Sequence, residues 1–190
     1  FVAAGILWKV GDVWCWKVHS WICAQSPTLP RIQFPYMEAV ARQEATLVDE
    51  PQIPPEYPVA WIEEQALQND IRFGAIDHFR VALMRKTLKE SGWDPDPKRG
   101  NIKLTYKPEV SEVAPILTSA FISHKIRWGD SMTMRWYTNN ACRKIDGNGN
   151  ITFVIKFTRN YISTVGFYTE NVFRIFFVCD AVINVVHNNA

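Results

Sequence analysis

Asp77 closes the apolar stretch Ile71-Arg72-Phe73-Gly74-Ala75-Ile76 and stands just before His78 and Arg80. Open α/β sheets hold their ligands at the carboxyl ends of strands, so an acid in that place can bind a divalent cation. Two hard cations about 4 Å apart can stabilise the attacking and the leaving oxygen of a phosphodiester, but they need several oxygen ligands from different strands. As a helix N-cap the same acid would be equally at home. A second block, Gly129-Asp130-Ser131 followed by Met134-Arg135-Trp136-Tyr137-Thr138-Asn139-Asn140, gathers an acid, an arginine, aromatics and two amides. It reads either as a capped helix start with a packed tryptophan or as an acid at or just behind a metal site. Lys125 and Arg127 alternate along a short strand and could meet phosphates, joined by Arg80, Lys86, Arg135, Arg143 and Lys144, although each also suits a solvated surface position.

Other chemistries are excluded by what is missing. The chain has no GxxxxGK[ST] phosphate loop, no GxSxG, no HExxH and no GxGxxG. Asp146-Gly147-Asn148 lacks the later acid of an EF-hand loop. His19, His124 and His187 are isolated, and Cys15, Cys23, Cys142 and Cys179 form neither a CxxC pair nor a zinc-finger spacing. That cysteine usage fits a reducing compartment.

The elements that must position these residues follow from composition and periodicity. At 190 residues, with 47% hydrophobic, 21% charged and 13% aromatic residues, the chain suits one core-forming domain, and its net charge of +2 selects no partner. It has no run of eighteen apolar residues, and Phe1 reads as the start of a piece cut from a longer chain. Phe1 to Lys9 and Val13 to Ile22 flank Val10-Gly11-Asp12 and predict a β-hairpin, with Trp14, Trp16 and Val18 on one face and Cys15, Lys17 and His19 on the other. Trp14, Trp16 and Trp21 are expected to pack in the core. Ser26 to Pro58 is broken by prolines, leaving room for a short helix at Met37 to Arg42 and a short strand at Thr46 to Val48. A helix is expected from Pro58, which can occupy a first turn. Ile71 to Asp77, a helix from His78 to Gly92 and a strand from Asn101 to Tyr106 predict a βαβ unit with a parallel pair. The helix would carry Arg80, Arg85, Lys86 and Lys89 along a basic side. Val110 to His124 predicts another helix, in which Pro115 is tolerable only near the first turn. Lys125 to Gly129 reads as a strand and Asp146 to Asn150 as a tight turn. After Phe153 the composition changes: the last 37 residues hold five phenylalanines and five charged residues with no clean period.

The runs Ala75-Ile76-Asp77-His78-Phe79-Arg80-Val81-Ala82-Leu83, Val113-Ala114-Pro115-Ile116 to Ala120-Phe121, and above all Ile126-Arg127-Trp128-Gly129-Asp130 with Met134 to Asn140, resemble the nuclease portion of tailed-phage (HK97-like) terminase large subunits. The order and spacing of the blocks are similar too. The resemblance covers residues 1–153 and implies an α/β fold, a ribonuclease-H-like mixed sheet flanked by helices. Residues 154–190 would then be a divergent tail, for which a shifted reading frame is one explanation. It also implies a metal-dependent endonuclease that cuts concatemeric, double-stranded viral DNA during genome packaging with two Mg2+ or Mn2+ ions. A separate amino-terminal ATPase, a terminase small subunit and a portal would be partners in the host cytoplasm, with no membrane.

In that family three main acids serve the site. The first would lie upstream of Phe1, the middle one matches Asp77, and the third falls at Thr164-Val165-Gly166-Phe167, where Val165 stands in place of an acid and Asp180 is too far along to substitute. Asp77 is thus the expected catalytic residue, Asp77 and Asp130 the expected metal ligands, and Arg80, Lys125, Arg127 and Arg135 the expected DNA contacts. With two of three acids not found, the alternative is a noncatalytic DNA-binding or packaging-assembly remnant of the same fold. Another ribonuclease-H-like nuclease, such as a resolvase or transposase, fits the Gly129 to Asn140 block less well.

Overall fold

The structure is a computed structural model that describes residues 1–78, 81–96, 98–145, 147–149, 151–155 and 173–179; of residues 31, 107, 142–144, 151–155 and 173–179 it describes the backbone alone. In chain order the elements are β1 (Val2–Val10), β2 (Val13–Cys23), a 3-10 turn (Leu29–Arg31), α1 (Tyr36–Ala41), β3 (Ala45–Val48), α2 (Glu56–Ala66), β4 (Ile71–Asp77), α3 (Val81–Glu90), β5 (Ile102–Thr105), α4 (Lys107–Ile122), β6 (Ile126–Arg127), α5 (Met132–Asn140), β7 (Ala141–Ile145), β8 (Ile151–Ile155) and β9 (Phe173–Cys179).

β1 and β2 form the expected antiparallel hairpin, closed by Gly11-Asp12 between the paired Val10 and Val13. Gly11 takes φ 56, the left-handed backbone that such a two-residue turn demands. β4 and β5 pair in parallel across α3, as the βαβ pattern predicts. The main sheet runs β3-β2-β1-β9-β4-β5, with β6 added to β2 at Trp14 and Cys15. β9 lies between β1, to which it is parallel, and β4, to which it is antiparallel. β7 and β8 form a separate hairpin.

Helices cover both faces. Strand alternation turns Ala4, Ile6, Trp21 and Ile76 toward α2 and α3, where they pack with Val59, Ile62, Val81, Met84 and Leu88. On the other face Ile22 and Ala45 meet Phe34, Ala39, Met132 and Trp136 from α1, α5 and their approaches. The fully buried Ser20 joins that second layer, its Oγ 3.1 Å from the Oη of Tyr137. Trp21 is core as expected, whereas Trp14 and Trp16 are half-buried.

Helix boundaries follow local chemistry. α3 stops at Gly92, whose φ of 78 lets Trp93 N donate to Leu88 O at 2.8 Å. α5 starts on Ser131, whose Oγ accepts from Met134 N at 3.1 Å. α4 departs from expectation: it starts at Lys107 rather than Val110, so Pro115 falls inside the helix instead of its first turn. Glu109 Oε2 accepts from Tyr106 N at 3.1 Å and extends the helix at its start, and the helix runs on through Pro115 without that residue's backbone hydrogen bond.

Candidate functional site

Asp77 is the last residue of β4, directly opposite Thr105 of β5. The neighbouring Ile76 faces Ile175, which in turn lies beside Ala4, so Asp77 stands at the end of the sheet where β1 begins. The next residue is fixed to the neighbouring strand: His78 N donates to Thr105 O at 3.2 Å, and its ring stacks on Tyr106 with centroids 4.4 Å apart. His78 Nδ1 lies 3.1 Å from Thr105 O and 3.4 Å from Asp77 Oδ1. Both neighbours are acceptors, so Nδ1 must carry a proton; in the neutral ring Nε2 then offers its lone pair. Asp77 therefore has a ring N–H beside it at a partly exposed strand end. Arg80, the expected DNA contact next in the chain, lies outside the described residues.

Asp130 stands elsewhere, beyond β6 on the β2 side of the sheet, with β1 and β9 between it and β4. Its carboxylate is gripped from both sides: Arg42 Nη2 reaches Oδ2 at 2.8 Å and Arg135 Nη1 reaches Oδ1 at 2.7 Å. Those hydrogen bonds, Arg42 first and Arg135 next, pull its pKa down to about 2. Two guanidiniums already occupy the two oxygens, so Asp130 ties the end of α1 to α5. The expected contacts Lys125, Arg127 and Arg135 are each engaged within the chain: Lys125 with Asp12 at 3.2 Å, Arg127 Nη1 with His124 O at 2.7 Å, and Arg135 with Asp130.

Glu44, just before β3, went unmarked in the sequence. Its carboxylate accepts from Ser131 Oγ at 2.9 Å, Met132 N at 3.0 Å and Thr133 N at 2.7 Å, and from Arg42 Nε at 3.0 Å. It caps α5 from a distant segment and meets the positive end of the helix. Burial by itself would raise its pKa, but the backbone donors of Thr133 and Met132, with Ser131 and Arg42, outweigh it and hold it at about 2. Ser131 was a legible cap; Glu44 left no local signal as a cap because the helix start it caps is nearly ninety residues away.

Among the described residues the donor set does not suit a two-metal centre. Among the described residues no group of three or more His, Cys, Asp or Glu side chains is placed to hold a metal ion. Asp77 and His78 supply two donors at one strand end, Asp130 is committed to arginines, and Val165 and Asp180 lie outside the described residues.

A cationic rim is assembled instead along α3 and the loop that follows it. Arg85, Lys86 and Lys89 come from the helix and Lys98 and Arg99 from the loop, with Lys86 also facing Glu90 at 3.8 Å and Lys89 facing Asp94 at 3.4 Å. Asp96 Oδ1 shapes that loop by accepting from Lys98 N at 2.8 Å and Arg99 N at 3.0 Å, and Arg85 and Lys89 are near enough to act on its charge. The basic side of α3 was legible from its spacing; its extension by Lys98 and Arg99 depends on the loop closing back on the helix.

Fold and site together define an α/β protein with a ribonuclease-H-like mixed sheet flanked by helices. Over 80% of its length the chain is similar to the crystal structure of the HK97 bacteriophage large terminase, with a TM-score of 0.63 and 17% identity. The match takes in 34% of that protein, so the chain spans about a third of its length. At that identity the likeness is one of fold. No protein-family model and no curated protein matches the sequence. Among the described residues no helix is long and apolar enough to cross a membrane.

Proposed function

We propose that this chain is a module of a phage-type DNA-packaging protein, related to the nuclease portion of terminase large subunits, and that as it stands it holds double-stranded DNA without cutting it. The fold shared with the HK97 large terminase carries this reading. The exposed Lys86, Lys89, Lys98 and Arg99, gathered by α3 and the loop after it, support the DNA contact, because phosphate binding needs solvent-facing cations. Surface ion pairs do not separate the candidates: Lys125 faces Asp12 and Arg135 faces Asp130, while Lys86 faces Glu90 at 3.8 Å and Lys89 faces Asp94 at 3.4 Å.

A second reading, metal-dependent phosphodiester hydrolysis with Mg2+ or Mn2+, has one observation in its favour: Asp77, beside His78, ends a strand where α/β sheets place their sites. One experiment separates the two. Duplex DNA is titrated by fluorescence anisotropy, and supercoiled plasmid is incubated with Mn2+ in parallel. Binding is expected to weaken steeply with salt and by about tenfold in Lys89→Glu/Arg99→Glu, with no nicking above background. Nicking by the wild-type chain that disappears in Asp77→Ala would establish the enzyme and overturn the binding-only reading. Binding indifferent to the charge reversals would remove the α3 rim from the interface.

A further inference from the structure

The opposite edge of the sheet has the opposite chemistry. Between β2, β3 and α2 lies an open cleft of about 570 Å³ bordered by His19, Asp49, Glu50, Tyr57, Trp61 and Glu64. None of the residues lining it is a lysine or arginine; Lys17 lines the adjoining cleft, where its Nζ donates to Gln65 Oε1 at 2.7 Å. Three carboxylates ring an aromatic floor of mutually packed rings. The His19 ring lies over Trp61 at 6.2 Å with a 25° tilt, and both rings rest against the buried Trp21, whose centroid is 4.9 Å from His19 and 6.3 Å from Trp61. His19 Nε2 is anchored to Thr46 Oγ1 at 2.9 Å. At the rim Tyr57 Oη donates to Glu50 Oε1 at 2.8 Å, which fixes that carboxylate beside the ring.

These features select a cation. The face of a tryptophan attracts positive charge, nearby carboxylates add to the attraction, and the same carboxylates repel a phosphate backbone. Burial, with Lys17 adding to it, lowers the pKa of His19, so the imidazole is neutral at pH 7 and does not oppose a cation. Among protein cations the guanidinium suits the geometry best, since it stacks flat on an aromatic ring while its edge pairs with carboxylates. We infer that this cleft receives an arginine side chain from a partner protein, the guanidinium lying on Trp61 and paired with Glu64 and Glu50. The site is separate from the DNA contact proposed for α3 and stands whether or not that contact is made: β3 and β5 lie at opposite ends of the strand order.

The test follows tryptophan indole N–H resonances of the whole chain by NMR, with Trp61→Phe identifying the resonance of Trp61. The probe is the peptide acetyl-Gly-Arg-Gly-amide, and the control replaces arginine by citrulline, which keeps the shape and removes the charge. The arginine peptide should shift the Trp61 resonance saturably. Citrulline should fail to do so, and Glu50→Gln/Glu64→Gln, two changes that remove charge without touching the core, should weaken the binding about fivefold or more. An equal response to citrulline, an unaltered affinity in the double variant or no saturable shift with arginine would each overturn the assignment. So would a Trp61 shift that tracks protein concentration without peptide, which would make a second copy of this chain the occupant.

Discussion

At Glu44 four donors converge on one carboxylate, two of them backbone N–H groups at the start of α5. Because the folded protein holds this group at about 2 against an ordinary value of 4.5, it binds fewer protons folded than unfolded. Its contribution is therefore complete above about pH 4.5 and lost as pH falls toward 2. Glu44→Gln should cost about 1–3 kcal/mol at pH 7, measured by urea unfolding, and the gap to wild type should close near pH 2–3. A gap of the same size at both pH values would mean that the carboxylate charge is not what matters. Asp130, at the same junction but largely exposed, should matter far less to stability. Sequence spacing alone placed Asp77 at a strand end and Ser131 at a helix start. It could not place Glu44, whose role depends on two segments meeting only in the folded chain.

Strands β1 and β2 approach so closely at Gly5 that a Cβ there would lie 2.8 Å from Trp16 Nε1, 3.1 Å from Lys17 O and 3.1 Å from Val18 Cγ2. The missing side chain is what lets the Trp16 ring lie against β1. Gly5→Ala should destabilise the protein by about 1–3 kcal/mol through this overpacking, visible as a lower thermal midpoint and a shifted Trp fluorescence spectrum. An unchanged midpoint would mean that the indole moves aside freely. The hairpin itself was legible, since Gly11-Asp12 between alternating strands is a strong local signal. Helix α4 was legible only in part: Pro115 argued for an early helix position, while Glu109 and Tyr106 moved the start three residues back and left the proline inside.

The whole molecule depends on β9. β3, β2 and β1 form one half of the sheet and β4 and β5 the other, and β9 is the strand that joins them. Nothing local announced it: Phe173 to Cys179 falls in a stretch without period, and a strand buried between neighbours need not alternate. A chain ended at residue 172 should lose its single cooperative transition, so that circular dichroism and tryptophan fluorescence no longer coincide in urea. Coincident transitions within about 1 kcal/mol of the full chain would mean that the α2 and α3 layer alone binds the two halves. The order of synthesis gives this arrangement a further consequence. β1 and β4 emerge early with their inner edges bare, and the partner for both is made about a hundred residues after β4. Until then each nascent chain presents two open edges to its neighbours on the same messenger, so crowded translation, more than heating of the finished protein, is where this fold is most exposed to misassembly.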